Sequence, residues 1–229
     1  MDRLVFKKVT FCSILLLLAL NSCVETKKTD LKKRVFINPK GDGTIQEIPG
    51  RIDFEFYDKG GEGVAYHDSD SVNSGSGRLN PLNGTYLNEF RHDEAVDISY
   101  TKKNGVDDTE FNITMPEMES LYLGWTSPEE WIDYTVQVTE SGKFTLDLMY
   151  TANLDATIVF TKDGKAVSDT LHLKNTRVEA DSLAWRQWHH WRYHPSIGSI
   201  KLDKGLQTLR LEILTSGMFN LDYMLLKNE

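Results

Sequence analysis

The stretch Trp131-Ile132-Asp133-Tyr134-Thr135-Val136-Gln137-Val138 decides the fold class. It is rich in aromatic and β-branched residues, and the turn pair Ser141-Gly142 closes it, as expected of a strand. Lys143-Phe144-Thr145-Leu146-Asp147-Leu148-Met149-Tyr150 follows with apolar residues at every second position, so one face meets a core and the other looks outward. Thr157-Ile158-Val159-Phe160 and Gln207-Thr208-Leu209-Arg210-Leu211-Glu212-Ile213-Leu214 have the same character, with turn residues at Asp163-Gly164 and Lys204-Gly205. Short strands divided by frequent turns predict an all-β chain folded as a β-sandwich.

Working outward, Ile52, Phe54 and Phe56 alternate with Asp53, Glu55 and Tyr57, which predicts another strand with Asp53 and Glu55 on one face. Lys162-Asp163-Gly164-Lys165 carries the Asp-Gly pair favoured in two-residue hairpins and predicts an antiparallel pairing there. No long helix is expected. Residues 58–118, rich in Gly, Ser, Asn and Asp, are too long for one turn and are expected to decorate one end of the sandwich with loops and short strands.

The chain has 229 residues, 40% of them hydrophobic, enough for one globular unit with a real core. A formal charge of −8 argues against nucleic acid as a partner, because phosphate binding needs a cationic face. Residues 1–22 read as a targeting segment, with Arg3, Lys7 and Lys8 before a short apolar stretch from Val9 to Leu20. That stretch is too short to span a bilayer comfortably. It closes on Leu20-Asn21-Ser22-Cys23, which resembles a bacterial lipoprotein box, and implies that Cys23 is lipidated and becomes the first mature residue. The mature chain would then hold one cysteine and no internal disulfide. Residues 23–47, with Lys27, Lys28, Lys32, Lys33 and Arg34 and few bulky apolar side chains, are expected to be a tether, and the folded domain is expected to begin at Ile48.

Two segments near the C-terminus carry the functional signal. Ala184-Trp185-Arg186-Gln187-Trp188-His189-His190-Trp191 holds three of the five tryptophans, alternating with polar and cationic residues. Gly217-Met218-Phe219-Asn220-Leu221-Asp222-Tyr223 adds an amide. An exposed indole removes the apolar C–H face of a pyranose from water, and an amide can serve the hydroxyls at its rim. Hydrolytic readings are weaker. There is no Gly-x-Ser-x-Gly, and the sole mature cysteine is at the lipid position. The Glu-x-Asp-x-x-Glu strand expected of a sandwich glucanase is missing, although Glu117, Glu119, Glu129 and Glu130 are available. His67-Asp68-Ser69-Asp70 reads as loop chemistry, and adjacent His189-His190 face opposite ways if extended, so no transition-metal site is predicted.

The ordered motifs resemble the family 6 carbohydrate-binding modules. The resemblance is carried by Ile48-Pro49-Gly50-Arg51-Ile52-Asp53-Phe54-Glu55-Phe56-Tyr57-Asp58, Gly60-Gly61-Glu62-Gly63-Val64-Ala65-Tyr66-His67-Asp68, Glu94-Ala95-Val96-Asp97-Ile98, and Leu123-Gly124-Trp125 with Glu130-Trp131. It continues through Trp185-Arg186-Gln187-Trp188 to Phe219-Asn220-Leu221-Asp222-Tyr223, and so covers residues 48–229. It implies a jelly-roll sandwich with a sugar site among loops at one end. Trp185 matches the family's site tryptophan and Asn220 its site asparagine. Tyr122 is the candidate opposing ring, although the family often places that aromatic where this chain has Leu121. Trp188 and Trp191 are assigned to packing. The resemblance further implies a structural calcium ion at Asp53 and Glu55, with Asp222 as a candidate third ligand. The expectation is a non-catalytic polysaccharide- or oligosaccharide-binding protein, lipid-anchored at the outer membrane of a bacterial envelope and working beside glycan-degrading enzymes. The alternative is a lipid-anchored adhesion or structural protein that binds another protein.

Overall fold

A computed structural model describes residues 34–37 and 44–229. Cys23, the targeting segment and most of the expected tether lie outside the described residues. The strands, in chain order, are β1 (Glu47–Ile48), β2 (Gly50–Asp53), β3 (Tyr66–His67), β4 (Ile98–Tyr100), β5 (Leu121–Leu123), β6 (Trp131–Val138) and β7 (Gly142–Ala152). They continue as β8 (Ala156–Lys162), β9 (Lys165–Ala166), β10 (Leu171–Leu173), β11 (Arg192–Leu202), β12 (Gly205–Thr215) and β13 (Phe219–Asn228). A single helical turn, α1 (Tyr86–Glu89), and a 3-10 turn over Ala184–Trp188 interrupt them.

The strands form two sheets, one ordered β1-β6-β12-β8-β10 with β3 and β9 at its margins, the other β11-β7-β13-β5-β4 with β2 beside β13. Successive strands β6, β7 and β8 alternate between sheets, as do β11, β12 and β13, which makes the molecule an all-β sandwich of jelly-roll form. The alternation read in β7 is realised: Phe144, Leu146 and Leu148 are buried between the sheets with Leu209, Leu211 and Ile213 of β12. Asp163 and Gly164 both take positive φ, joining β8 to β9 by the two-residue hairpin that their sequence predicts.

Two expectations need correction. β2 ends at Asp53, where the Phe56 N–H turns back to the Asp53 carbonyl at 3.2 Å, so Asp53 and Glu55 do not share a strand face. Glu55 is instead only 4% exposed, and Tyr57 is fully buried. Within the stretch expected to be tether, Val35 is buried and Phe36 stacks on Phe56 at 5.8 Å, while Arg34 pairs with Asp133 at 3.0 Å. These contacts extend the folded unit N-terminal to Ile48.

A second, smaller apolar cluster covers the outer face of the β11-β7-β13 sheet. Tyr122, Met149 and Trp191 are buried there, with Tyr193 and Tyr223 packed against them. The irregular residues before β5 cover this face, since Ile113 and Thr114 both donate to the Trp191 carbonyl at 2.9 Å. Buried backbone there is therefore satisfied without a ladder.

Candidate functional site

The loops at one end of the sandwich enclose a cleft of about 840 Å³. The 3-10 turn supplies Trp185 and Trp188 and the residue after it is His189; the loop after β5 supplies Trp125, the residue before β13 is Met218, and β13 supplies Asn220. Trp185 is 49% exposed and Trp125 42%, so two indoles are open to solvent in one concavity. No Asp, Glu, Lys or Arg lines it among the described residues.

The turn that carries Trp185 is braced from behind. Arg186 donates through Nε and Nη2 to the two oxygens of Asp181 at 2.5 and 2.8 Å, and through Nη1 to the Gly105 carbonyl at 3.1 Å. Buried Gln187 donates to the Asp181 carbonyl at 3.0 Å. The Trp188 carbonyl accepts from Thr151 Oγ1 at 2.7 Å and from Asn220 Nδ2 at 2.8 Å, which ties the end of the turn to β7 and β13. Such bracing fixes side chains before any ligand arrives.

Trp125 has φ of 47°, the left-handed region that bulky residues rarely occupy. The neighbouring loop holds it there: the Gly124 N–H donates to the Asp97 carbonyl at 3.0 Å and Ser216 Oγ donates to the Thr126 carbonyl at 2.7 Å. The indole is open to solvent there, and strain of this kind gathers at functional sites. Gly217 is required by close approach, since a Cβ there would lie 2.0 Å from the Leu154 carbonyl oxygen.

Trp185 and Asn220 do meet in this cleft, as their expected roles need. Asn220 is only 6% exposed, and its Nδ2 is committed to Thr151 Oγ1 at 3.1 Å as well as to Trp188. Only Oδ1 is left for a ligand. It sits over Gly124, where a Cβ would come within 2.6 Å of it, so the missing side chain keeps that oxygen accessible. Tyr122 also borders the cleft, but its ring is 1% exposed and lies edge-on to Trp191 at 5.3 Å. Burial raises its hydroxyl pKa. It forms floor rather than an opposing platform; the exposed ring is Trp125. Trp191 is fully buried as expected, whereas Trp188, expected to pack, is half-buried and lines the cleft because it ends a 3-10 turn instead of starting a strand. Trp125 was legible as a motif residue, but its exposure depends on a backbone conformation that the residue type disfavours.

A shallower depression on the outer face of the second sheet has Tyr193 and Tyr223 in its lining. Arg51 lies 3.9 Å over the Tyr223 ring, so that face is already covered.

Asp53, Glu55 and Asp222 do lie near one another, since Asp53 and Asp222 both set negative charge against Glu55, and Asp53 sets it against Asp222. Burial, reinforced by Asp53, raises the Glu55 carboxyl well above its usual range, and burial pushes Asp222 up to about 7. Arg51 Nε donates to Asp53 Oδ1 at 2.5 Å, and its Nη2 lies 3.7 Å from Asp222. Glu55 Oε2 and both Asp222 side-chain oxygens are buried without a hydrogen-bond partner. Oxygen atoms left in that state suit a hard cation, which takes carboxylate oxygens directly. As arranged, with Asp53 turned to Arg51, no group of three or more His, Cys, Asp or Glu side chains forms a metal-holding set among the described residues.

No model of a protein family matches the sequence, and no curated protein does. Solved structures do resemble it. A family 6 carbohydrate-binding module from Clostridium stercorarium, solved with cellobiose, is 11% identical, with 82% of this chain and 99% of that one covered and a TM-score of 0.49. A β-1,3-glucan-binding module of the same family from Bacillus halodurans is 11% identical over 80% of this chain and 99% of its own, with a TM-score of 0.46. A glycoside hydrolase family 43 arabinoxylan arabinofuranohydrolase from Bacillus subtilis, solved with cellotetraose, is 12% identical over 81% of this chain but only 28% of its own, with a TM-score of 0.49.

Proposed function

We propose that this domain binds a polysaccharide or oligosaccharide without transforming it. The observation that carries the reading is the pairing of two exposed, pre-positioned indoles, Trp125 and Trp185, in one cleft with the Asn220 carbonyl oxygen. Indole faces take the apolar side of a pyranose, and the amide oxygen takes a hydroxyl at its rim. Glycoside hydrolysis needs two carboxyl groups flanking the scissile bond, and the lining offers neither. Affinity is modest, because each hydroxyl contact exchanges water for protein. The test is a polysaccharide array with wild type and Trp185→Ala, with reducing-sugar release measured on every glycan bound. Binding that is lost in the variant, without release of reducing ends, is expected; no binding, or equal binding by the variant, defeats the reading.

Cys23 anchors the domain by acyl chains at the outer membrane of a bacterial envelope in this proposal, placing captured glycan beside degrading enzymes. Incorporation of labelled fatty acid into wild type but not Cys23→Ala tests the anchor. Calcium binds Glu55 and Asp222, with Asp53 released from Arg51, and there neutralises buried charge. A rise in melting temperature on adding calcium, lost in Glu55→Gln, tests it. Exposed Leu79 and Met218 at the rim favour the alternative of a protein partner, which would be retained by a domain that binds no glycan.

A further inference from the structure

His189 is the one titratable side chain besides Tyr122 in the cleft lining. Its ring sits edge-on to Trp185, with centroids 6.0 Å apart. Nδ1 lies 2.8 Å from Asp107 Oδ1. Asp107 is fully buried, and its other partners are donors: the Trp191 Nε1–H reaches Oδ1 at 2.7 Å and the Lys102 N–H reaches Oδ2 at 2.7 Å. A carboxylate in that setting accepts, so His189 places a proton on Nδ1, and in the tautomer with that proton alone Nε2 keeps a lone pair. Nε2 has no partner among the described residues and is not among the buried unpaired atoms, which leaves it open at the cleft wall.

Asn220 is constrained in the same sense. With Nδ2 committed to Thr151 and Trp188, it too presents only an acceptor. Hydroxyl groups of Thr126, Ser127 and Ser216 also line the cleft and carry no fixed charge. We propose that His189, held by Asp107 as its positioning residue, is a specificity-determining contact: its Nε2 accepts a proton from one ring hydroxyl beside the Trp185 face. Together with Asn220 Oδ1, it selects neutral sugars with free hydroxyls over uronates and sulfated sugars. An anionic oxygen at either place would face a lone pair with no cation in the lining to offset it. A sugar that lacks the hydroxyl leaves Nε2 covered and unpaired, which costs about tenfold in affinity. This inference rests on the glycan-binding reading and deepens it.

The test uses the full domain and a panel of neutral gluco-, xylo- and galacto-oligosaccharides beside glucuronate-containing and sulfated counterparts. Wild type is expected to bind a neutral member at least tenfold more tightly than its acidic counterpart. His189→Asn, whose amide can still donate to Asp107 but does not reach the sugar, is expected to lose about tenfold on that neutral ligand and to lose the penalty that wild type shows for its deoxy analogue. Imidazole ¹⁵N spectra are expected to show the Nδ1–H form of His189, with the Nε2 signal moving on addition of the neutral oligosaccharide, and Asp107→Asn is expected to abolish that fixed form. If wild type binds a neutral oligosaccharide but His189→Asn keeps both affinity and deoxy discrimination, or the Nε2 signal does not move, the role of His189 falls while the cleft reading stands. Preference of wild type for an acidic member overturns the selectivity. Wild type that binds nothing in the panel overturns the glycan reading and this inference with it.

Discussion

The aromatic cleft and the carboxylate cluster at Asp53, Glu55 and Asp222 treat their polar atoms in opposite ways. Behind the cleft, Asp181 and Asp107 have every oxygen engaged by Arg186, His190, His189, Trp191 or backbone N–H groups. In the cluster, Glu55 Oε2 and both oxygens of Asp222 are buried and unpaired. A satisfied network holds a surface ready for a ligand, whereas unpaired buried oxygens are a standing cost that a cation would relieve. The two regions therefore respond differently to removal of an acidic side chain.

Asp181→Ala breaks the satisfied region most severely. It strands the Arg186 guanidinium and buried His190, whose Nε2 lies 2.8 Å from the Asp181 carboxylate. A loss of about 3–5 kcal/mol is expected in urea unfolding. Asn220→Ala removes two donated bonds beneath the cleft and is expected to cost about 1–3 kcal/mol, with glycan binding lost as well. Asp222→Asn has the contrasting outcome. In chelator at pH 8 it removes a buried charge that accepts no hydrogen bond and has only Arg51 at 3.7 Å to offset it, so stability is expected to be unchanged or higher by about 1 kcal/mol, and the stabilisation by calcium is expected to disappear. A large loss from Asp222→Asn under those conditions would erase the contrast.

The last effect is one of pH and concerns Asp97, beside the cleft loops, whose carboxyl is pushed up to about 7 chiefly by burial, with Asp68, Asp70 and Glu130 adding like charge. An aspartate in the unfolded chain titrates near 3.9. Between about pH 4 and 7 the folded form thus keeps a proton that the unfolded chain has released, so stability falls as pH rises through that window and levels off above it. Asp97→Asn keeps an acceptor for the Ser74 N–H and is expected to shrink this fall, as measured by urea melts from pH 4 to pH 8.

The strand framework was legible because a period of two is local: β6 runs over the residues whose pattern predicted it, and Asp163-Gly164 turns where the dipeptide requires. The meeting of Trp185 with Asn220 was legible from motif order. What escaped depends on non-local contacts and on single dihedrals. Glu55 leaves the expected strand face because the chain turns at Asp53. The Tyr122 ring is claimed by Trp191, and Trp125 takes its place at the cleft through a positive φ. His189 was read only as half of an unlikely metal pair, because Asp107, its partner, lies 82 residues away in sequence. No residue pattern announces such a pairing.

The most direct measurement is a calorimetric titration of wild type, Trp185→Ala and Trp125→Ala with the oligosaccharide that binds best in the array. The account predicts measurable binding by wild type and a loss of at least tenfold in each variant, since each removes an exposed indole face from one cleft while leaving the core untouched. Unchanged affinity in both variants would contradict it.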